Sequence, residues 1–82
     1  MAKEMAKDST RLRRTIKLQR ITAGMTLREL SVMSGVSASY LGSIERGETF
    51  PSARTLRRLA KPLGFKEVEL FTLAGYDVVD LS

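Results

Sequence analysis

The sequence predicts an all-α fold, a compact domain of five short helices in which a tight turn joins the second helix to the third. Two observations predict it. Apolar residues recur at helical spacing in five separate segments, as in amphipathic helices that share one core. A glycine or a capping hydroxyl stands at most of the boundaries between these segments, where helices end and begin. With 82 residues, the chain has room for one small domain.

The first predicted helix begins near Ser9 and continues to about Ala23, where Gly24 ends it. Either Asp8 or Ser9 can cap it. Its predicted buried stripe consists of Leu12, Ile16 and Ala23. Off that stripe lie four basic residues that are most simply a solvated face: Arg11, Arg13, Arg14 and Lys17. Residues 1–8 have no periodic apolar face and are expected to form a mobile arm ahead of a domain at 9–76.

The stretch from Thr26 to Gly47 predicts two short helices joined by a sharp turn, a helix-turn-helix. Thr26 can cap the first of them, and Glu29 can complete a capping box by reaching back to the cap amide. Gly35 can take the positive φ that the turn needs, and Ser37 can cap the second helix. Where the two helices cross, the residues expected inside are Leu30, Val36, Leu41 and Ile44. The outward positions of the second helix are Ala38, Ser39, Gly42 and Ser43.

Two further helices complete the domain. Ser52 can cap a fourth helix that continues to about Leu63, with Pro62 tolerated in its last turn. The apolar face of this helix consists of Leu56, Leu59, Ala60 and Leu63. A fifth helix runs from about Lys66 to Ala74 and carries more apolar surface than one side of a short helix needs. Some of that surface is expected to face another subunit, and it comprises Val68, Leu70, Phe71 and Leu73.

The net charge of +5 is spread unevenly along the chain. Residues 1–28 hold eight Lys or Arg against two Asp or Glu, residues 29–58 hold four against three, and residues 59–82 hold two against four. A basic front and an acidic rear favour a polyanion on one side of the molecule, but a solubilising surface explains most charge excesses of this size. Charge alone therefore leaves both interpretations open.

The composition argues against an enzyme and against a metal site. The chain has no histidine, no cysteine and no glycine-rich phosphate loop. We therefore expect no catalytic residue, no metal, no cofactor and no small-molecule ligand. No run of about 18 apolar residues occurs, and charges stand where a signal peptide would have its apolar core, so we expect a cytoplasmic protein without a membrane partner.

Twelve residues of the central stretch carry a resemblance to the lambda-repressor, Cro and Xre group of bacterial and phage regulators. That group has a capped helix, a Gly-Val-Ser turn, a recognition helix and a Glu-Arg-Gly end. The matching residues are Thr26, Glu29, Leu30, Gly35, Val36, Ser37, Tyr40, Leu41, Ile44, Glu45, Arg46 and Gly47. The resemblance covers roughly residues 11–76 and implies a lambda-repressor-like DNA-binding domain.

This resemblance implies a nucleoid-associated transcriptional regulator, most simply a repressor that binds an inverted repeat in double-stranded DNA as a homodimer. By position, the base-reading residues would be Ala38, Ser39 and Ser43. The phosphate-contacting residues would be Thr26, Ser37, Tyr40, Arg54, Arg28 and Arg46. For Tyr40 the structural alternative is a packed aromatic, and for Arg46 it is a partner of the helix dipole. Lys3 and Lys7 of the arm are further candidates for reaching around DNA.

The resemblance also implies a pair between Arg20 and Glu45 that would tie the first helix to the recognition helix, a structural role for both side chains. In the group, the two-fold interface commonly involves the last helix and the residues after it, so residues 77–82 are expected to help form a dimer contact. Folding back on the core and fraying remain open for this tail. The sequence departs from the group at Leu27, where a glutamine is frequent, and at Gly42, where a larger residue is frequent.

Two other functions stay open. The first is a protein-interaction module, such as an antitoxin-like partner that grips another protein through the fifth helix and the tail. The second is RNA binding, which is disfavoured because the sequence lacks the aromatic stacking platforms that RNA-binding domains generally use. Salt dependence separates the first from a DNA-binding protein, because only phosphate contacts make affinity fall steeply as salt rises.

Overall fold

The computed structural model describes residues 10–76, which form five α-helices and no strand. The helices are α1 (Thr10–Thr22), α2 (Leu27–Ser34), α3 (Ala38–Glu45), α4 (Ala53–Leu63) and α5 (Glu67–Ala74). α1 packs against α3, α4 and α5, while α2 packs against α3 and α4. The expected all-α, five-helix fold is therefore confirmed.

Local chemistry accounts for most of the helix starts. The hydroxyls of Ser37 and Ser52 each accept a hydrogen bond from the amide three residues further on, at 3.1 Å, and so begin α3 and α4 where the sequence predicts. α5 begins differently, one residue later than expected. Its Glu69 carboxylate accepts a hydrogen bond from the amide of Lys66 at 2.8 Å, while the Lys66 side chain has no capping oxygen to offer.

The core draws on all five helices. It consists of Leu12, Ile16, Leu30, Val36, Leu41, Ile44, Leu56, Leu59, Ala60, Leu63, Leu70, Phe71 and Ala74. One residue expected in the buried stripe of α1 is not there: Ala23 is exposed, because α1 ends at Thr22 and its last turn extends past the edge of the core. On α5, Leu73 is partly buried against the core, and Val68 is exposed, which leaves less free apolar surface than the sequence suggested.

Two polar contacts tie distant parts of the chain together. The side-chain amide of Gln19 donates a hydrogen bond to the carbonyl of Leu63 at 3.0 Å, so α1 satisfies an oxygen at the end of α4 that has no helical partner. The hydroxyl of Tyr76 donates to the carbonyl of Pro51 at 3.2 Å, and its ring meets Phe71 edge-on with centroids 5.9 Å apart. Tyr76 thereby fixes the end of α5 to the loop before α4.

Some expectations fall outside the described residues. These are the proposed arm at 1–8, with Lys3 and Lys7, the predicted cap of the first helix at Asp8 or Ser9, and the proposed tail at 77–82. Within residues 10–76, no helix has both the length and the apolar character that a membrane crossing requires.

Candidate nucleic-acid interface

The helix-turn-helix is built by local contacts that the sequence specifies. The Thr26 hydroxyl accepts a hydrogen bond from the Glu29 amide at 3.0 Å, and the Glu29 carboxylate accepts one from the Thr26 amide at 2.8 Å, which completes the capping box. Gly35 ends α2 with a φ of +76°, in the left-handed region that glycine tolerates. The turn is closed by Ser34, whose buried hydroxyl accepts from the Val36 amide at 3.1 Å. The second helix of the motif is therefore held at a fixed angle to the first.

An ion pair joins α1 to the end of α3. The guanidinium of Arg20 donates two hydrogen bonds to the carboxylate of Glu45, from Nε at 2.8 Å and from Nη2 at 2.9 Å. Its Nη1 donates a third, to the carbonyl of Met25 at 2.8 Å. The hydrogen bond to Glu45 raises the pKa of Arg20 above its ordinary value. The pair links α1, the loop before α2 and the last residue of α3.

One side of α3 faces the core and the other remains accessible. Leu41 and Ile44 are buried, whereas Ser39 is exposed and Ala38 and Ser43 are partly exposed. The Ser43 hydroxyl lies 3.2 Å from the Ser39 carbonyl and 3.1 Å from the Tyr40 carbonyl. Because its proton is shared between these oxygens, Ser43 can chiefly accept a hydrogen bond from a ligand, while Ser39 can donate as well as accept.

Gly42 was expected on the outward side, and the structure corrects this expectation: the residue is buried. The Arg46 side chain folds back along α3 and covers it. A Cβ added at Gly42 would lie 3.0 Å from Nη1 of Arg46 and 3.7 Å from Cδ1 of Leu27. The Arg46 guanidinium therefore occupies the space that a larger residue at position 42 would fill.

Glu48 holds the Arg46 guanidinium in this position. Arg46 donates from Nε to one carboxylate oxygen at 3.0 Å and from Nη2 to the other at 3.1 Å. Both side chains are more than half exposed, at 61% and 58%. Hydrogen bonding to Arg46, and then its positive charge, lower the pKa of the Glu48 carboxyl, while the same contacts raise the pKa of Arg46. Arg46 is thus an exposed cation with a carboxylate already bound.

The other residues expected at the phosphates have mixed environments. Arg28 and Arg54 are exposed in the first turns of α2 and α4. The Thr26 and Ser37 hydroxyls accept capping hydrogen bonds and keep their own protons for donation. Tyr40 is half-buried and packs against the core, in line with the packed-aromatic alternative for its ring.

Two arginines have roles that the sequence did not reveal. Arg13, expected on a solvated face, is partly buried: its Nη1 lies 3.5 Å from the Glu45 carbonyl, and a Cβ added at Gly47 would lie 3.0 Å from its Nε. Arg58 lies on the other side of the motif, with Nη1 3.4 Å from the Gly35 carbonyl. Each cation meets a carbonyl at the C-terminal end of a helix, where positive charge is stabilising. No local spacing signals these contacts, because the partners lie 32 and 23 residues apart.

Comparison with known proteins identifies the family to which this domain belongs. A family profile described as a helix-turn-helix domain matches residues 11–73, from α1 to the last turn of α5. The chain belongs to the helix-turn-helix family. The similarity of this helix-turn-helix domain to solved regulator structures confirms the resemblance to the lambda-repressor, Cro and Xre group. Proteins with this motif place their second helix in the major groove of DNA.

The helix-turn-helix domain is similar to several HTH-type transcriptional regulators. One from Sinorhizobium fredii is 40% identical over 88% of this chain and 84% of its own length. Another from Mycobacterium tuberculosis is 43% identical over 73% of this chain, which spans 43% of that relative's length. SlrR of Bacillus subtilis is 44% identical over 71% of this chain and 39% of its own length. The chain therefore spans less than half of two of these relatives.

Two solved structures share the fold. The restriction-modification controller protein C.AhdI of Aeromonas hydrophila superposes with a TM-score of 0.71 at 30% identity, over 78% of this chain and 97% of its own. An HTH_3 family transcriptional regulator of Vibrio cholerae superposes with a TM-score of 0.70 at 31% identity, over 78% of this chain and 36% of its own. The described domain thus shares its fold with a transcriptional regulator and with a restriction-modification controller protein.

Proposed function

We propose that this chain is a sequence-specific, double-stranded DNA-binding regulator that acts at the nucleoid in the cytoplasm as a repressor, by occluding a promoter. The observation that carries the proposal is the accessible face of α3, with Ala38, Ser39 and Ser43 outward and Leu41 and Ile44 anchored in the core. A major groove accommodates one helix, and short side chains allow that helix to approach the bases closely.

The three base-facing residues make individually modest contacts. Ser39 donates to or accepts from a base edge, Ser43 accepts from a base amino group, and the Ala38 methyl packs on the methyl group of a thymine. None of the three forms the bidentate pair that gives the strongest discrimination between bases. DNA shape and neighbouring side chains therefore contribute to the specificity of one subunit.

Phosphate contacts supply most of the affinity. The capped N-termini of α2 and α3 present backbone amides and the hydroxyls of Thr26 and Ser37, which are good donors to an anionic oxygen. The Tyr40 hydroxyl and the exposed guanidinium groups of Arg28 and Arg54 add to them. Arg46 differs from this set because Glu48 already holds its guanidinium.

Binding as a symmetric pair follows from the modest contacts of one subunit. Two recognition helices about 34 Å apart meet successive major grooves, so the operator is an inverted repeat. A single reader with small side chains would be outcompeted by nonspecific sites. C.AhdI, a controller protein, matches this chain over 97% of its own length, which supports a regulatory role for a domain of this size. The dimer contact is assigned to α5, where Val68 is exposed, and to residues 77–82.

The test is a titration of a labelled duplex at increasing salt, by fluorescence anisotropy. The unmodified chain should lose affinity steeply, and Arg54→Ala should reduce the slope of log K against log salt by about one unit. Arg57→Ala is the matched control, since it removes the same charge from α4 but at a residue beside Glu67 and the Phe71 ring of α5. Equal slopes for all three proteins would refute the phosphate role of Arg54.

One observation favours the alternative, a protein-interaction module. Val32 and Met33 are 80% and 60% exposed on α2, and large apolar side chains on a surface commonly mark a protein contact. The same titration separates the two functions. If no duplex of any sequence is bound at low salt, the repressor assignment is wrong, and the interaction module takes its place.

A further inference from the structure

The position of Arg46 has a consequence for base recognition. Ala38, Gly42 and Arg46 follow one another at four-residue spacing, so they share one side of α3 and its C-terminal cap. Because Gly42 has no side chain, the Arg46 guanidinium lies back over this side of the helix, against Gly42 and Leu27. It is the long, donor-rich group on a face whose other members, Ala38, Ser39 and Ser43, are short.

The hydrogen bonds to Glu48 leave a particular part of the guanidinium available. Nε and one N–H of Nη2 are used by the carboxylate. Both N–H groups of Nη1 and the second N–H of Nη2 have no hydrogen-bonding partner within residues 10–76. One N–H of Nη1 and the second N–H of Nη2 form the other fork of the guanidinium, and their parallel N–H groups match the O6 and N7 acceptors of guanine in the major groove.

We propose that Arg46 reads a guanine in the major groove, with Glu48 as the positioning residue and Gly42 as the space in which the guanidinium rests. The proposal rests on the proposed function, and it assigns the strong base contact that the three small residues lack. Because the Glu48 carboxylate already holds the Nε and Nη2 side of the guanidinium, Arg46 loses less rotamer freedom when it binds DNA. A phosphate can also accept two hydrogen bonds from such a fork, but it is unaffected by a change at N7 of a base, so a base analogue distinguishes the two contacts.

The experiment uses a duplex enriched from a random pool by the unmodified chain. Each guanine of that duplex is replaced in turn by 7-deazaguanine, which keeps its base pairing and loses the N7 acceptor. At one guanine in each half-site, the unmodified chain should lose about tenfold in affinity, as expected for one arm of a bidentate contact. Arg46→Ala should bind more weakly and show no further loss on that substitution.

Three variants test how the fork is held. Arg46→Lys keeps the charge and lacks the fork, so it should restore affinity for nonspecific DNA without restoring the sensitivity to 7-deazaguanine. Gly42→Ala places a methyl group at the guanidinium, so it should weaken the discrimination while the thermal midpoint stays or rises. Glu48→Ala should bind nonspecific DNA more tightly, because a negative charge is removed, and should discriminate less. Arg28→Ala is the control. It should lower the affinity for the enriched duplex and for its 7-deazaguanine derivative by the same factor.

The contradicting results are distinct. If the chain enriches no duplex, the proposed function fails, and this inference fails with it. If it enriches a motif in which no guanine is sensitive to 7-deazaguanine, or in which Arg46→Ala keeps the full sensitivity, only the role of Arg46 is refuted. Rescue of the sequence-specific affinity by Arg46→Lys would assign Arg46 to a phosphate.

Discussion

Arg20 and Glu45 form a bidentate ion pair, with N···O distances of 2.8 and 2.9 Å and side chains only 12% and 7% exposed. It connects α1 to the last residue of α3, and the third hydrogen bond of Arg20 reaches the Met25 carbonyl just before α2 begins. The guanidinium of Arg20 therefore connects α1, the loop before α2 and the C-terminal end of the recognition helix α3. In a pair this buried, each charge depends on the other for its hydrogen bonds.

Removal of either charge should therefore be costly. We expect Arg20→Met and Glu45→Met each to lower the free energy of unfolding by about 3 kcal/mol, because each leaves a buried charge without its partner. The double variant should lose no more than either single one. Urea denaturation of the four proteins measures this cycle, with Arg14→Met, at an exposed position of α1, as the control. Losses that simply add would show that the two side chains do not depend on each other.

The capping box at Thr26 should contribute measurably to stability. Thr26→Ala removes the oxygen that accepts the Glu29 amide, and we expect a loss of about 1 kcal/mol in the free energy of unfolding. Thr72→Ala makes the same change at a solvent-exposed position within α5, away from its N-cap, and should be close to neutral or slightly stabilising. Thermal melts of the two variants provide the comparison. An equal effect of both would mean that the cap does not hold the start of α2.

The sharp turn depends on glycine at one position. Gly35 has a φ of +76°, so Gly35→Ala should destabilise the domain by about 1 kcal/mol or more, since a Cβ disfavours the left-handed conformation. Gly42→Ala is the natural contrast: Gly42 lies within α3, and alanine should be neutral or favourable to helix stability. Calorimetry on the two variants decides the matter. A larger loss at position 42 than at 35 would contradict the assigned roles.

Stability should be independent of pH between 6 and 8. The chain has no histidine, the side chain whose ordinary pKa lies in this range. The pKa of Glu48 is lowered in the folded state, so Glu48 stabilises the fold at pH values above its unfolded-state pKa. This stabilisation is lost only in acid, as the pH falls through the folded-state pKa. The pKa of Arg20 is raised in the folded state, so Arg20 stabilises the fold at pH values below its unfolded-state pKa. This stabilisation is lost only in strong alkali, as the pH rises through the folded-state pKa. A thermal midpoint that changes between pH 6 and 8 would show that a group of the chain titrates in this range with a different pKa in the folded and unfolded states.

The helix boundaries and the core were largely predictable from the sequence because their causes are local. A hydroxyl three residues before an amide, or a glycine after an apolar repeat, determines where a helix begins or ends without reference to the rest of the fold. The capping box at Thr26 and the turn at Gly35 are examples, and both are confirmed. Prediction of the Arg20–Glu45 pair needed the resemblance to known regulators, because the two residues are 25 positions apart in the sequence.

The features that the sequence did not reveal depend on side chains that cross between segments. Helical periodicity predicts an outward, exposed Gly42, but Arg46 and Leu27 cover it, and no repeat pattern predicts that an arginine folds back. The position of Arg13 off the apolar stripe of α1 predicts a solvated side chain. Its guanidinium nevertheless reaches the carbonyl of Glu45 at the end of α3. Helical periodicity within α1 carries no information about a partner 32 residues away.

The central proposal, that the outer face of α3 reads DNA for a symmetric pair of subunits, is tested most directly by selection of bound duplexes from a random pool. We expect enrichment of a two-fold symmetric motif whose half-sites lie about 10 base pairs apart, centre to centre, because that spacing places two recognition helices in successive major grooves. A triple variant that carries Ala38→Glu, Ser39→Glu and Ser43→Glu should enrich nothing. Failure of the unmodified chain to enrich any motif, or enrichment of the same motif by the triple variant, would contradict the proposal.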